Sequence, residues 1–387
     1  MLRIFEAFTT EVDDEEIAVE EIKSQLEDKG GFLKNSVGVI ACHYEFVMSG
    51  IAQAVCKALP FDIVGTISSP VSTGTKVDAL LLSIMFFSSD DVEFEVLLTP
   101  PLNENPCATI AETYKTSTAK RPEKPALILS FAPFMPLNSG DEYVSTISEV
   151  SGGVPCFGTL AVDDTMDFSN CYSLYNGEEH TDKMCLVLFY GDIKPKFYFA
   201  NISEDKILDK SAIITKSEGH VIKELNGRPV MEYFKDIGLG KASETQYAMA
   251  SLPFLVDYND GTPPVSKIFI RLTEEGYALC AGAVPEGSKL YVAPSDKSDV
   301  LFTTDETVDQ VLNDIEGASG LLIYSCIARY LILGANQFDE IKHVNNKLGG
   351  KIPFMMAYSG GEICPTLVSD GKTTNRFHNN ALVACLI

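Results

Sequence analysis

Short apolar runs alternate with stretches of helical period along this chain, and the alternation recurs three times. Residues 37–41, 126–130 and 321–325 are apolar with no polar face, the pattern of a strand buried on both sides. Helical periodicity follows at about 49–59, 141–150 and from Cys326 to about 348. A second apolar run then enters through a proline: Pro60 in the first segment, Pro155 in the second, Pro353 in the third. Each segment therefore reads as a strand, a helix and a second strand. Runs at 80–87 and 92–98, at 184–190 and 196–200, and at 362–368 and 380–387 predict a hairpin after each, the third around Ser369-Asp370-Gly371-Lys372.

Ahead of the first segment, residues 2–9 alternate as a strand does. Asp13 then precedes an amphipathic helix over 14–28, closed by Lys29-Gly30-Gly31. The polar stretch 116–125 reads as a surface connection. Asn226-Gly227 marks a turn, with Pro229 opening a helix through 234. Strands at 268–272, 277–283 and 289–292 and a helix at 305–315, capped by Thr304 or Asp305, complete the second half, with a loop at 257–264. The expected fold class is α+β, in two domains with mixed β-sheets flanked by helices, built from repeated strand-helix-strand-hairpin units. The expected divisions are an extension over 1–36, a domain over 37–226 and another over 227–387.

Length agrees with two domains, since 387 residues exceed what one core commonly serves. Thirty basic residues against 54 acidic give a net charge of −24. Such a field repels phosphate backbones and anionic lipid, so neither nucleic acid nor membrane insertion is expected, and solubility accounts for the acidity. The ten cysteines stand singly, without a CxxC pair, and most lie in apolar runs where a reduced thiol packs as a small hydrophobe. That usage fits a reducing compartment. No run is long or apolar enough to span a bilayer and no signal peptide opens the chain, so a cytoplasmic location follows. No P-loop, HExxH or Gly-x-Ser-x-Gly occurs, and five scattered histidines give no metal cluster. No cofactor or metal is expected.

The candidate chemistry gathers near the C-terminus. Ser359-Gly360-Gly361-Glu362 follows the apolar run 352–358, and glycines without a Cβ let the backbone approach a bound molecule. Ser325-Cys326 ends another buried strand and opens a helix that carries Arg329, a planar fork suited to a carboxylate. Arg329 and Glu362 at one edge would match the two charges of a zwitterionic amino acid. Equally, the two pair with each other. His378 and Asn379 line the same mouth or hydrogen-bond the turn. A rival makes Cys326 a nucleophile and His378 its base in a hydrolase or transferase, although nothing in the sequence brings them together. A third reading is a scaffold whose acidic surface docks a protein and binds no metabolite.

The Gly-Glu-Ile-x-Pro turn at 361–365, Phe-His-Asn at 377–379, Ser-Cys-x-x-Arg at 325–329 and the run from Thr215 through Glu-Leu-Asn-Gly-Arg-Pro at 224–229 occur in an order that resembles the FIST family. The resemblance spans roughly residue 37 to the end, and places the FIST N-terminal domain at 37–226 and the C-terminal domain at 227–387. It implies a stand-alone, bacterial-type sensory protein for signal transduction that binds a small ligand, an amino acid or related metabolite. A separate signalling output protein is then expected as partner. On the matching positions, Arg329, Glu362, Gly360, Gly361, Ser359, Cys326, His378 and Asn379 are the expected ligand-binding residues, with no catalytic residue.

Overall fold

In each segment a helix carries the chain back to the start of the sheet, so the two apolar runs pair in parallel. The computed structural model describes residues 2–135, 139–165, 168–208, 211–238, 251–368 and 371–387. Its first unit runs β1 (Arg3–Thr9), α1 (Glu15–Glu27), β2 (Asn35–Cys42), α2 (Glu45–Met48), α3 (Ile51–Lys57), β3 (Ile63–Ile67), the hairpin β4 (Val71–Thr73) and β5 (Lys76–Asp78), and β6 (Leu82–Ser89). The second runs β7 (Glu93–Leu98), α4 (Pro106–Thr118), β8 (Leu127–Ala132), α5 (Gly140–Ser151), β9 (Cys156–Leu160), β10 (Ser173–Tyr175), β11 (Glu178–His180) and β12 (Cys185–Tyr190). The third opens with β13 (Lys196–Ala200) and is then interrupted. The insertion holds β14 (Ser211–Glu218), β15 (Val221–Leu225), β16 (Arg228–Pro229), α6 (Val230–Asp236), β17 (Phe254–Asp257), β18 (Val265–Lys267), β19 (Phe269–Leu272), β20 (Ala278–Cys280) and β21 (Lys289–Val292). The unit resumes with α7 (Lys297–Asn313), β22 (Leu321–Cys326), α8 (Ile327–Leu333), α9 (Asp339–Leu348), β23 (Phe354–Ser359), β24 (Glu362–Leu367), β25 (Thr373–His378) and β26 (Leu382–Leu386).

Three sheets obey one cyclic rule. Their orders are β1-β6-β2-β3-β10-β11, β7-β12-β8-β9-β24-β25 and β13-β26-β22-β23-β4-β5. Each unit supplies four strands to its own sheet and lends its hairpin to another: the first unit to the third sheet, the second to the first, the third to the second. The expected hairpins are therefore corrected. Both edges of β6 are taken by β1 and β2, so β7 crosses to β12. For the same reason β13 pairs with β26, not β12, and β24 pairs with β25 and β9, not with the terminal strand. Of the turn expected at 369–372, residues 369 and 370 lie outside the described residues.

The inner faces of the three sheets share one core, to which Val37, Val39 and Met85, Leu129, Phe157 and Val187, and Leu322, Tyr324 and Val383 contribute. Outer faces are covered by helices: Ile22 and Val55 on the first sheet, Tyr114 and Ile147 on the second, Val308 and Ile341 on the third. A strand buried on both faces needs apolar residues at every position, which is why these runs carry no alternation. The insertion forms a fourth sheet, β18-β17-β21-β14-β15-β20-β19 with β16 beside β15, around its own core of Ile214, Leu225, Phe234, Phe254 and Leu290. Strands on both sides of residue 226 enter this sheet, so the two halves of the chain are interleaved.

Several helix ends differ from expectation. Asp14, not Asp13, caps α1, accepting from the amides of Glu16 and Ile17. The helix expected at 305–315 is α7, which starts eight residues earlier because Asp296 and Asp299 satisfy each other's amides in a reciprocal capping box. The stretch from Cys326 to 348 breaks into α8 and α9 at Gly334, and α4 reaches into the polar stretch expected as a surface connection.

Candidate functional site

The parallel ladders end at Cys42–Ile67, Ala132–Leu160 and Cys326–Ser359, and beyond these ends the chain passes from one sheet to the next. The crossings touch. The Val162 amide donates to the Ile67 carbonyl at 3.3 Å, Ser68 Oγ to the Tyr358 carbonyl at 2.9 Å, and the Gly360 amide to the Leu160 carbonyl at 2.9 Å. Carboxyl ends of parallel strands are where α/β sheets hold ligands.

Gly360 and Gly361 serve this crossing. A Cβ on Gly360 would stand 2.7 Å from the Ala161 carbonyl oxygen, and one on Gly361, at φ +150°, would collide with the ring of Phe377. The Gly361 carbonyl accepts from the Leu160 amide at 3.0 Å, and Ser359 Oγ accepts from the Gly361 amide at 3.0 Å and from Thr159 Oγ1 at 2.7 Å. The close approach that the glycines allow is thus between two strands and a ring of the protein itself.

Glu362 opens β24 at full burial, and among the described residues the Ser359 hydroxyl, the Ala381 amide and the Cys326 thiol approach its carboxyl without reaching full hydrogen-bond geometry. Burial raises its carboxyl well above the usual carboxylate range. Ser359, the Ala381 amide, Arg329 and Cys326 lie close enough to pull the other way without overcoming burial. Around it lie His378, its cross-strand partner on β25, and then Asn379 and Asn380. His378 Nδ1, Asn379 Oδ1, both polar atoms of the Asn380 side chain and Ser266 Oγ are buried without hydrogen-bond partners among the described residues. Ser266 belongs here because its carbonyl accepts from the Asn379 amide at 3.1 Å, which lays β18 of the insertion over the cluster. Native interiors seldom leave such atoms unpaired, each costing roughly 1–3 kcal/mol.

Arg329 does not form the expected partnership. Its Nε donates to Glu340 Oε1 at 2.8 Å, its Nη2 to the Val300 carbonyl at 2.9 Å and Thr304 Oγ1 at 2.9 Å, and its Nη1 to the Asn201 carbonyl at 3.4 Å. Glu340 Oε2 in turn accepts from Ser325 Oγ at 2.8 Å and the Tyr358 hydroxyl at 3.1 Å. This is a closed ionic network tying α7, α8, α9 and the ends of β22 and β23. Arg329 acts on Glu362 only through its field.

Cys326 is buried, its thiol raised well above the ordinary range by burial and then by Glu362. His378 turns Nε2 to the Cys364 carbonyl and to Thr366 Oγ1, each at 3.4 Å, and burial lowers its pKa to about 3. No hydrogen bond joins the thiol to the imidazole among the described residues.

The three units provide an internal comparison. Counting from the ladder ends, the position of Glu362 is held in the first unit by Pro70, one residue before the Val71–Ala357 pair, and in the second by Ser173, opposite Thr66 as Glu362 is opposite Thr159. The positions of Asn379 and Asn380 are held by Leu80 and Leu81, and by Asp182 and Lys183. The position of His378 is held in the second unit by His180, opposite Ser173, and its Nε2 is likewise buried without a partner; among the described residues, the third unit alone adds a buried carboxylate and asparagines without partners there.

An open cleft of about 740 Å³ lies outside the cluster, between α5, the insertion and β25, lined in part by Asp141, Tyr258, Asp260, Arg376 and Phe377. Phe377 is its inner wall, with its ring on Gly361. Lys267, fully buried, donates to both oxygens of Asp141 at 2.9 and 3.0 Å and to the Phe377 carbonyl at 2.8 Å. Burial lowers its pKa, against the pull of Asp141. Arg376 pairs with Asp260 and stacks 4.9 Å from the Tyr258 ring.

Glu340, Asn380, Ser266, Lys267 and Asp141 escape a reading of the sequence. Asn380 alone had a local signal, standing beside Asn379 with a residue type that tolerates its φ of +49°. The rest are brought in by tertiary contacts. No helix among the described residues is long and apolar enough to cross a membrane, and no group of three or more His, Cys, Asp or Glu is arranged to hold a metal.

Among solved structures, cyanuric acid hydrolase from A. caulinodans aligns over 100% of this chain and 99% of its own, at 9% identity and a TM-score of 0.39. PurLQS from Thermotoga maritima aligns over 100% of this chain and 72% of its own, at 9% identity and 0.19. At such scores neither likeness bears on the chemistry here. No curated protein matches the chain. The model of the FIST N domain matches residues 36–228 and that of the FIST C domain matches residues 230–365. Matched over most of its length by both, the chain belongs to the FIST family of sensory domains.

Proposed function

We propose that this protein is a cytoplasmic sensor of a small ligand, an amino acid or related metabolite, recognised by Glu362, His378, Asn379 and Asn380 beside Ser359, Gly360, Gly361 and Cys326. The carrying observation is that a buried carboxylate, a histidine and two asparagines with unpartnered polar atoms gather at the strand ends of the third unit, where among the described residues the equivalent positions of the second unit have His180 Nε2 alone and those of the first have none. A ligand supplying those partners would offset a desolvation cost the fold otherwise bears. Occupancy would reach a separate output protein through the insertion, whose β18 covers the cluster. The high-lying thiol of Cys326, and an imidazole committed through Nε2 to Cys364 and Thr366, favour binding over turnover.

Thermal unfolding of the full chain against a metabolite panel tests this reading. A ligand at about 100 times its Kd stabilises the native state by about 2.7 kcal/mol. At least one compound should raise the melting temperature of the wild type and not of Glu362→Leu. A panel without any stabilising compound would favour the scaffold reading.

A further inference from the structure

We infer that the ligand engages this cluster through a cationic nitrogen group with no carboxylate beside it, that is, as an amine and not as an α-amino acid. The inference rests on the sensor reading above and narrows it. Its basis is the hydrogen-bonding inventory. His378 Nε2 faces the Cys364 carbonyl, which accepts only, so Nε2 holds the ring proton and Nδ1 presents a lone pair. Among the described residues the unpartnered acceptors are then His378 Nδ1, Asn379 Oδ1 and Asn380 Oδ1, joined by both oxygens of Glu362 once an amine arriving as its free base takes the carboxyl proton. Against them stand neutral donors only, Asn380 Nδ2 and the Ser266 hydroxyl, with the Ser359 hydroxyl, the Ala381 amide and the Cys326 thiol approaching Glu362.

Among the described residues, the cations near the cluster are already engaged. Arg329, on α8, is held by Glu340, Val300, Thr304 and Asn201. Lys267, on β18, spends its three protons on Asp141 and Phe377. Arg376, on β25, pairs with Asp260 in the outer cleft, leaving Nε without a partner there. Two further titratable neighbours, Cys326 at the end of β22 and Cys364 on β24, hold their protons through burial. A carboxylate entering here would bring a second acidic group beside Glu362 and meet no free positive charge among the described residues. An ammonium, with three N–H groups and its charge, complements the acceptors it meets. In an α-amino acid the carboxylate is two bonds from the ammonium, so both groups would face the same acceptors. Specificity would then come from the unfavourable partner as much as from the favourable one.

The test uses the full chain in thermal-shift and calorimetric titrations with matched trios: a primary amine, the α-amino acid that yields it on loss of carbon dioxide, and the corresponding carboxylate without the amine. Isobutylamine, valine and isovalerate form one trio; 2-phenylethylamine, phenylalanine and 3-phenylpropanoate another. The expected result is binding of at least one amine at least tenfold tighter than its amino acid, no binding of the carboxylate, and a tenfold or greater loss for that amine in Glu362→Gln. The wild-type comparison stands alone should the variant fail to fold. An amino acid or carboxylate that binds as tightly as its amine overturns the inference and leaves the sensor reading intact. Binding only of uncharged compounds from the wider panel does the same. Failure of every compound, of any class, overturns the sensor reading and the inference with it.

Discussion

Replacing Glu362 by glutamine keeps the shape of the side chain and removes its titration. In the fold, burial holds the carboxyl well above its ordinary value of 4.5. Below that value both the folded and the unfolded chain are protonated, and the group has no effect on stability. As the pH rises above it, the unfolded chain releases the proton while the folded chain retains it. The native state therefore loses about 1.4 kcal/mol per pH unit until the folded value is passed. Glutamine shows no such loss. Urea denaturation of ligand-free wild type and Glu362→Gln, in steps of about one unit upward from about pH 5, should show the variant gaining on the wild type, by at most about 1.4 kcal/mol per unit, for as long as the folded carboxyl keeps its proton. Groups common to both proteins cancel, including Glu6, which burial raises to about 7 and which produces a slope of the same sign in each. A difference that stays flat across this range would mean that Glu362 is ionised and paired in the fold. The account of the cluster as a set of atoms awaiting a partner would then be wrong.

Arg329→Met should destabilise by about 3–5 kcal/mol, because it leaves Glu340 charged and buried, and the double variant Arg329→Met, Glu340→Leu should recover most of that loss; chemical denaturation measures both. Gly361→Ala should cost about 1–3 kcal/mol by driving a Cβ into the Phe377 ring, with partial recovery when Phe377→Leu is added. Lys267→Met removes the ion pair that ties the insertion to α5, so hydrogen exchange should accelerate in β18 to β21 before it does in β22 or β23. Alkylation of the native protein followed by peptide mass spectrometry should modify the partly exposed Cys107 well before the buried Cys326; faster reaction at Cys326 would restore the nucleophile reading.

Much of the fold was legible where a local pattern has one physical meaning. The runs 37–41, 126–130 and 321–325 are apolar throughout because both faces are covered, and they became β2, β8 and β22. The intervening helical stretches, and the family resemblance carried by the Gly-Glu-Ile and Phe-His-Asn motifs, were readable for the same reason. Strand partners were not. Nothing in residues 80–98 reveals that both edges of β6 are filled from elsewhere, so adjacency in sequence wrongly suggested a hairpin. At the site, the residues flanking Gly360-Gly361 were identifiable by type, but the destination of a charge was not: Arg329 and Glu362 are equally compatible with each other, with a ligand or with a third group. The third group, Glu340, is reached only when α9 folds back onto α8 and β22, a contact between elements that no spacing encodes.

The sequence by itself determined the buried strands, the helices between them, their threefold recurrence and the family, because each depends on periodicity and residue type within a short window. Tertiary structure decided which strands pair, which cation is already neutralised and which buried polar atoms lack partners. Those outcomes depend on what packs across the sheets from distant parts of the chain, and electrostatic and hydrogen-bond satisfaction belongs to such neighbourhoods, not to any one residue.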